Sequence, residues 1–227
     1  MSDPAPMENR GSALKRLFLL VAFLLVVGMG FTVYLSFQPQ DLDGISGYRS
    51  DDRLENPIDI PARIEAAAKS RQPITLSERQ INSWLAANLK VKQEGKLADV
   101  VDMKGVWIRF DKVEGGRAEI VIEREVRGII HTSSLYMRFE RKKKENGAFT
   151  TTVRKDGGRF LGAVLIGGRF GQLKVPQGFI LFTQDAYKSL GALFEREAGF
   201  LEEEIIRKAG GEIIFEDKKM RIDFPKD

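Results

Sequence analysis

The hydrophobic positions of this chain follow three patterns in turn. In the first there is no polar face. Leu17–Phe37 reads LFLLVAFLLVVGMGFTVYLSF and contains no charged residue. A soluble helix of that length would alternate apolar and polar faces, and this one does not. At 1.5 Å per residue it reaches roughly 31 Å, enough for a hydrocarbon core of about 30 Å. The segment is therefore expected to be a transmembrane helix.

A cleaved signal peptide is the alternative, with Gly28-Met29-Gly30 as the small-x-small site. Cleavage there would leave Phe31, Val33, Tyr34 and Leu35 as an apolar stub, so an uncleaved anchor is favoured. Lys15 and Arg16 abut its start, whereas Asp41 and Asp43 follow its end. The positive-inside rule then puts residues 1–16 in the cytosol as a short tail and residues 38–227 outside. Expected localisation is the cell membrane, single-pass, with an extracytoplasmic C-terminal domain.

The second pattern has the period of a helix. After a polar stretch at 38–56, read as a linker, Pro57 and Pro61 open a short helix, Ala62–Ser70. Ile74-Thr75-Leu76 reads as a short strand or lead-in. Ser77 and Gln80 have capping-box spacing. Ile81, Trp84, Leu85, Asn88 and Leu89 then share one face of a helix over Glu78–Leu89.

The third pattern has period two. Val106, Ile108 and Phe110 alternate with Trp107 and Arg109. Ala118, Ile120 and Ile122 alternate with Glu119 and Glu123, and Leu135, Met137 and Phe139 with Tyr136, Arg138 and Glu140. Asn146-Gly147 is a hairpin signal, with Phe149, Thr151 and Val153 beyond it. These residues predict a four-stranded antiparallel meander over Asp99–Asp156, with one apolar and one polar face. A glycine-rich apolar stretch fills Gly157–Gly171. Helical spacing returns from Phe179 to Ile205, and Glu212–Phe215 and Met220–Phe224 form a final hairpin. The expected fold class is α+β: an N-terminal transmembrane helix, then an antiparallel β-meander packed with helices on one face, with residues 57–227 as one extracytoplasmic domain.

Composition changes this picture by exclusion. The 227 residues contain no cysteine, which removes disulfides, thiolate metal sites and cysteine nucleophiles. Arg10, Lys15 and Arg16 outnumber Asp3 and Glu8 by one, which leaves +3 of the overall +4 for the rest. That is too little for a nucleic-acid footprint, so no nucleic-acid partner is expected. The single histidine, His131, cannot build a multi-histidine metal site, and neither a Walker loop nor G-x-S-x-G occurs. Glu202, Glu203 and Glu204 point in different directions on a helix and cannot act as a catalytic pair. No metal or cofactor is implied, and a non-catalytic protein is expected.

Three stretches remain as candidates. Gly-Gly-Arg-Phe occurs twice, at 157–160 and 167–170. Glycine-exposed amides with Arg159 and Arg169 suit an anionic headgroup, and Phe160, Leu161, Val164 and Ile166 between them suit an acyl chain. The bland reading is a core strand between glycine turns. Arg141–Lys144, at a hairpin tip, suits anionic lipid or simply a solvated tip. Phe179–Phe182 is a lipid or partner surface if exposed and core if buried.

The order of ITLSERQINSWLAANL, a β-meander, GQLKVPQGFILF, an amphipathic helix and EIIFEDKKMRIDF resembles the YpmS-like group of single-pass bacterial envelope proteins. Leu76-Ser77 with Ile81-Asn82, and Leu173-Lys174-Val175-Pro176, carry the likeness. The linker and the repeated Gly-Gly-Arg-Phe lie outside the pattern. The group it resembles has no settled activity of its own; related envelope domains suggest amphiphile binding between a curved sheet and helices. The expected function is a membrane-anchored, non-catalytic domain binding a lipid or other amphiphile through Arg159, Phe160, Leu161, Val164, Ile166, Arg169 and Phe179. A tethered interaction module with an envelope protein partner is the alternative. A hydrolase built on His131, Ser133 or Ser134 and a carboxylate is the minor one.

Overall fold

The computed structural model describes residues 10–89, 100–111, 113, 116–143, 149–154, 159–160, 164–176 and 210–225. Within them the fold is α+β. Helix α1 (Arg10–Phe37) is followed by α2 (Ile60–Ser70), strand β1 (Ile74–Ser77) and α3 (Glu78–Asn88). The meander strands are β2 (Val101–Asp111), β3 (Arg117–Val126), β4 (Ile129–Lys143) and β5 (Phe149–Arg154). Then come β6 (Arg159–Phe160), β7 (Val164–Phe170), β8 (Leu173–Pro176), β9 (Glu212–Glu216) and β10 (Lys219–Asp223). The expected helix over 179–205, and with it Phe179, Leu161 and Glu202–Glu204, lies outside the described residues, as does the Asn146-Gly147 turn.

Leu14–Phe37 is long and apolar enough to cross a membrane, and its most apolar stretch is not buried against the rest of the chain. Its 24 residues span about 36 Å. A membrane anchor or a signal sequence fits these properties.

The meander forms as its alternation predicts, with consecutive antiparallel pairing of β2, β3, β4 and β5. Strand β4 is long enough to take two partners besides β3, β7 at Ser133–Leu135 and β5 at Arg138–Lys143. The main sheet then runs β2-β3-β4-β7-β6, with β8 beside β7. A second sheet, β1-β10-β9, joins a strand from before the meander to the C-terminal hairpin. The expected single sheet covered by helices is therefore two sheets with α2 and α3. Ile60, Ile64, Leu76, Ile81, Trp84, Ile108, Phe110, Phe215, Met220 and Ile222 form one apolar cluster between them.

Helix α3 begins as its sequence requires. The Ser77 hydroxyl accepts from the Gln80 amide, and the Gln80 side chain accepts from the Ser77 amide. Two side chains one turn apart then reach the edge strand β2. Asn82 receives the Ile108 amide at 2.7 Å and donates to the Ile108 carbonyl at 2.8 Å. Glu78 receives the Phe110 amide at 2.7 Å. An exposed sheet edge is a template for unwanted pairing; here α3 occupies it. Asn82, a carrier of the family likeness, is thus an architectural residue.

The largest departure concerns residues 38–56. They do not form an extended spacer. Gln40–Arg53 runs as a strap over the face of the sheet that the alternation marks as polar, and Leu42 and Ile45 are buried against Trp107 and Val121. That face is accordingly closed to solvent at Trp107, Glu119, Val121, Ser134 and Tyr136.

Candidate functional site

Two features meet at one end of the main sheet: the exit of α1 and the polar layer under the strap. The last carbonyls of a helix have no partners within it. In α1 that of Leu35 accepts the Gln172 amide at 3.0 Å, from the turn between β7 and β8. Gly171 in that turn has φ +52°, and a Cβ there would sit 2.7 Å from the Ser36 carbonyl and 2.8 Å from that of Leu35. Only glycine fits both the backbone angle and the approach. Phe37 meets His131 edge to face, with ring centroids 5.4 Å apart. Three residues later the Gln40 amide donates to Thr132 Oγ1 at 2.8 Å. The helix is thus docked on β4, β7 and β8.

Beyond Gln40 the strap is pinned at successive points. The Asp41 carbonyl accepts from Arg109 at 2.7 Å, and the Ser46 amide donates to Glu78 at 2.7 Å while the Ser46 carbonyl accepts from Asn82. Tyr48 stands edge-on to Trp107, and both donate to Glu123, at 3.2 and 3.1 Å. Burial, and then the charge of Glu123, push the Tyr48 hydroxyl above its ordinary value.

Glu119 is the centre of the polar layer. Its carboxylate is fully buried, accepts from Ser134 Oγ at 2.6 Å, and lies 3.4 Å from Arg109 and 3.6 Å from Arg169. Arg169 also donates to the Tyr136 hydroxyl at 2.6 Å, and Arg117 stacks on the Tyr136 ring while paired to Asp111. Burial, then the negative charge of Glu119, raise the Tyr136 hydroxyl. A buried carboxylate needs such compensation, since desolvating an ion without partners costs several kcal/mol. Beside this layer the Gln40 side-chain amide is buried with no hydrogen-bond partner.

No family model, curated protein or solved structure matches this chain.

The residues expected to bind a ligand distribute as follows. Arg169 is in the Glu119 layer, and Ile166 is buried on the same strand. Arg159 and Phe160 form β6, opposite Leu165 and Val164 of β7. The Arg-Phe pairs of the two copies therefore lie on adjacent strands but out of register: Arg159 faces a position four residues from Arg169, about 13 Å along the strand. Leu161 and Phe179 lie outside the described residues. His131 and Ser134 point to opposite faces of β4, by the alternation of a strand, and Ser134 is engaged by Glu119. Glu78 and Gln172 were not singled out by the sequence, Asn82 entered only through the family likeness, and Glu119 only as a polar position in the alternation. Glu78 and Asn82, at i and i+4 on a capped helix, had only their shared spacing as a signal of a joint role.

Proposed function

We propose that the chain is a membrane-anchored, non-catalytic envelope domain that binds a lipid or another amphiphile beside its own anchor. The observation that carries this reading is the docking of α1 on the β7–β8 turn. Strand β7, which bears Ile166 and Arg169, ends at Gly171 against the last turn of the apolar helix. The glycine-rich strand β7 thus ends where the bilayer would end, so an acyl chain leaving the membrane meets its Arg169–Phe170 end first and reaches β6, paired at Val164–Leu165, only farther along. The extracytoplasmic side follows from the basic flank of α1. The engagement of Ser134 by Glu119 on the face opposite His131 speaks against a His131–Ser134 pair, whereas Ser133 shares the face of His131.

The test is photocrosslinking of the full chain in nanodiscs with a bifunctional phospholipid whose acyl chain carries a diazirine. The expected result is adducts within residues 159–170 in addition to α1. Adducts confined to α1 contradict amphiphile binding.

The second reading is a tethered interaction module. The burial of Leu42 and Ile45 shortens the reach of such a tether, since the strap is held to the sheet rather than free to extend. Partners would therefore meet the domain close to the membrane. Cross-linking in intact cells distinguishes this reading by recovering a protein partner in place of lipid.

A further inference from the structure

Outside α1, three large apolar side chains among the described residues are exposed: Val100, Val113 and Ile129. Two of them lie at the end of the sheet where α1 docks. Val101, next to Val100, pairs with Val126, and Val126 pairs with Ile129, so the start of β2, the end of β3 and the start of β4 share that end. The β7–β8 turn is there too, because Gly171 donates to the Thr132 carbonyl of β4 at 2.7 Å. Val113 follows β2 at the opposite end.

The position of the bilayer boundary follows from the docking. Phe37 is the last residue of the apolar span and touches His131. Ile129 is two residues from His131 on the same strand face, about 7 Å toward the hairpin tip. Its side chain is 59% exposed, the highest of the three. The tip itself is Arg127-Gly128, with φ +52° and +82°, a tight two-residue turn that projects Arg127 into solvent. Lys174, just past the β7–β8 turn, is exposed as well. An apolar side chain flanked by cations at the height of the headgroups is the pattern of an interfacial contact.

We propose that this end of the sheet is a second membrane contact, in which Ile129 and Val100 enter the bilayer interface and Arg127 and Lys174 meet the phosphates of anionic lipids. This rests on α1 being the membrane anchor. It adds that the domain lies on the bilayer through its β3–β4 hairpin, in one fixed orientation, rather than standing off on its helix alone.

The chain lacks cysteine, so single-cysteine probes need no background removal. Full-length Val26→Cys, Ile129→Cys and Val113→Cys would each carry an environment-sensitive fluorophore in nanodiscs containing phosphatidylglycerol and both a shallow and a deep spin-labelled lipid, since position 26 lies near the middle of the span. The expected result is loss of emission by quenching at positions 26 and 129 and none at 113. Quenching at 26 with equal, unquenched emission at 129 and 113 overturns the second contact and leaves the anchor in place. Absence of quenching at 26 overturns the anchor, and this inference with it. Repeating the Ile129→Cys measurement in purely zwitterionic nanodiscs should weaken the quenching; unchanged quenching overturns the role given to Arg127 and Lys174.

Discussion

The two faces of the main sheet are held by different physics. On one face Ile108, Phe110 and Ala118 meet α2, α3 and the second sheet in an apolar cluster, where contacts are non-directional and interchangeable. On the other, Glu119, Arg109, Arg169, Tyr136, Ser134 and Glu123 are fixed by named bonds, and the strap supplies Leu42, Ile45 and Tyr48 as its own small apolar contribution. The strap is continuous with α1. The directional face therefore holds the segment that follows the anchor, while Phe37 at the end of α1 packs on His131 of the opposite face, and the apolar cluster is what makes the domain fold. Oriented hydrogen bonds and ion pairs define one position of the strap, whereas an apolar contact alone would tolerate sliding.

The largest expected effect comes from removing the centre of the polar face. Glu119→Ala leaves Arg109 and Arg169 together without their carboxylate and should destabilise the chain by about 3–5 kcal/mol. Denaturant unfolding in detergent measures this. A loss below about 1 kcal/mol would mean that the polar face contributes little and that the contrast between faces fails. Gly171→Ala should follow, since it strains a left-handed backbone and drives a Cβ into the carbonyls of α1. Its effect should be confined to one face. The two tryptophans report the faces separately: Trp107 lies under the strap and Trp84 in the apolar cluster. In Gly171→Ala the emission of Trp107 should shift to the red, read in a Trp84→Phe background, while that of Trp84 should not.

The sequence made the local devices legible and the long-range ones opaque. The capping box of Ser77 and Gln80, the meander and the final hairpin all follow from residues within a few positions of one another. The strap does not. Residues 38–56 have a linker's composition, and their few apolar side chains acquire meaning only from Trp107 and Val121, more than 60 residues on. The alternation of Arg109, Glu119 and Tyr136 marks a polar face correctly, but cannot say that a distant segment covers it. The pairing of β1 with β10 is likewise a contact between chain regions that no local pattern links. Of the expected site, Arg169 is placed in a charged layer and Ile166 in the interior, roles that repetition of Gly-Gly-Arg-Phe does not distinguish.

A smaller effect sharpens the comparison through pH. The raised Tyr136 hydroxyl keeps its proton in the folded chain at a pH where an unfolded tyrosine, near 10.0, has lost it. Its contribution is therefore complete below about pH 10 and is lost as pH rises through the higher folded value. Stability should fall above that pH, and the Tyr136→Phe variant should show a shallower fall in the same titration. A slope unchanged by the substitution would remove Tyr136 as its source. The smallest effect is expected at Gln40, whose buried amide lacks partners. Gln40→Leu forfeits no side-chain hydrogen bond and should leave the unfolding midpoint unchanged or raise it slightly. A clear loss of stability would show that the amide is bonded after all.

Docking of the anchor on the sheet is most directly tested by a distance. Spin labels at Val33→Cys in α1 and Lys174→Cys in β8, in the full chain in nanodiscs, report the helix–sheet separation by pulsed electron paramagnetic resonance. A docked helix gives a single narrow distance distribution that broadens on Gly171→Ala. A broad distribution in the otherwise unaltered chain would contradict it, and would return residues 38–56 to the role of a flexible tether.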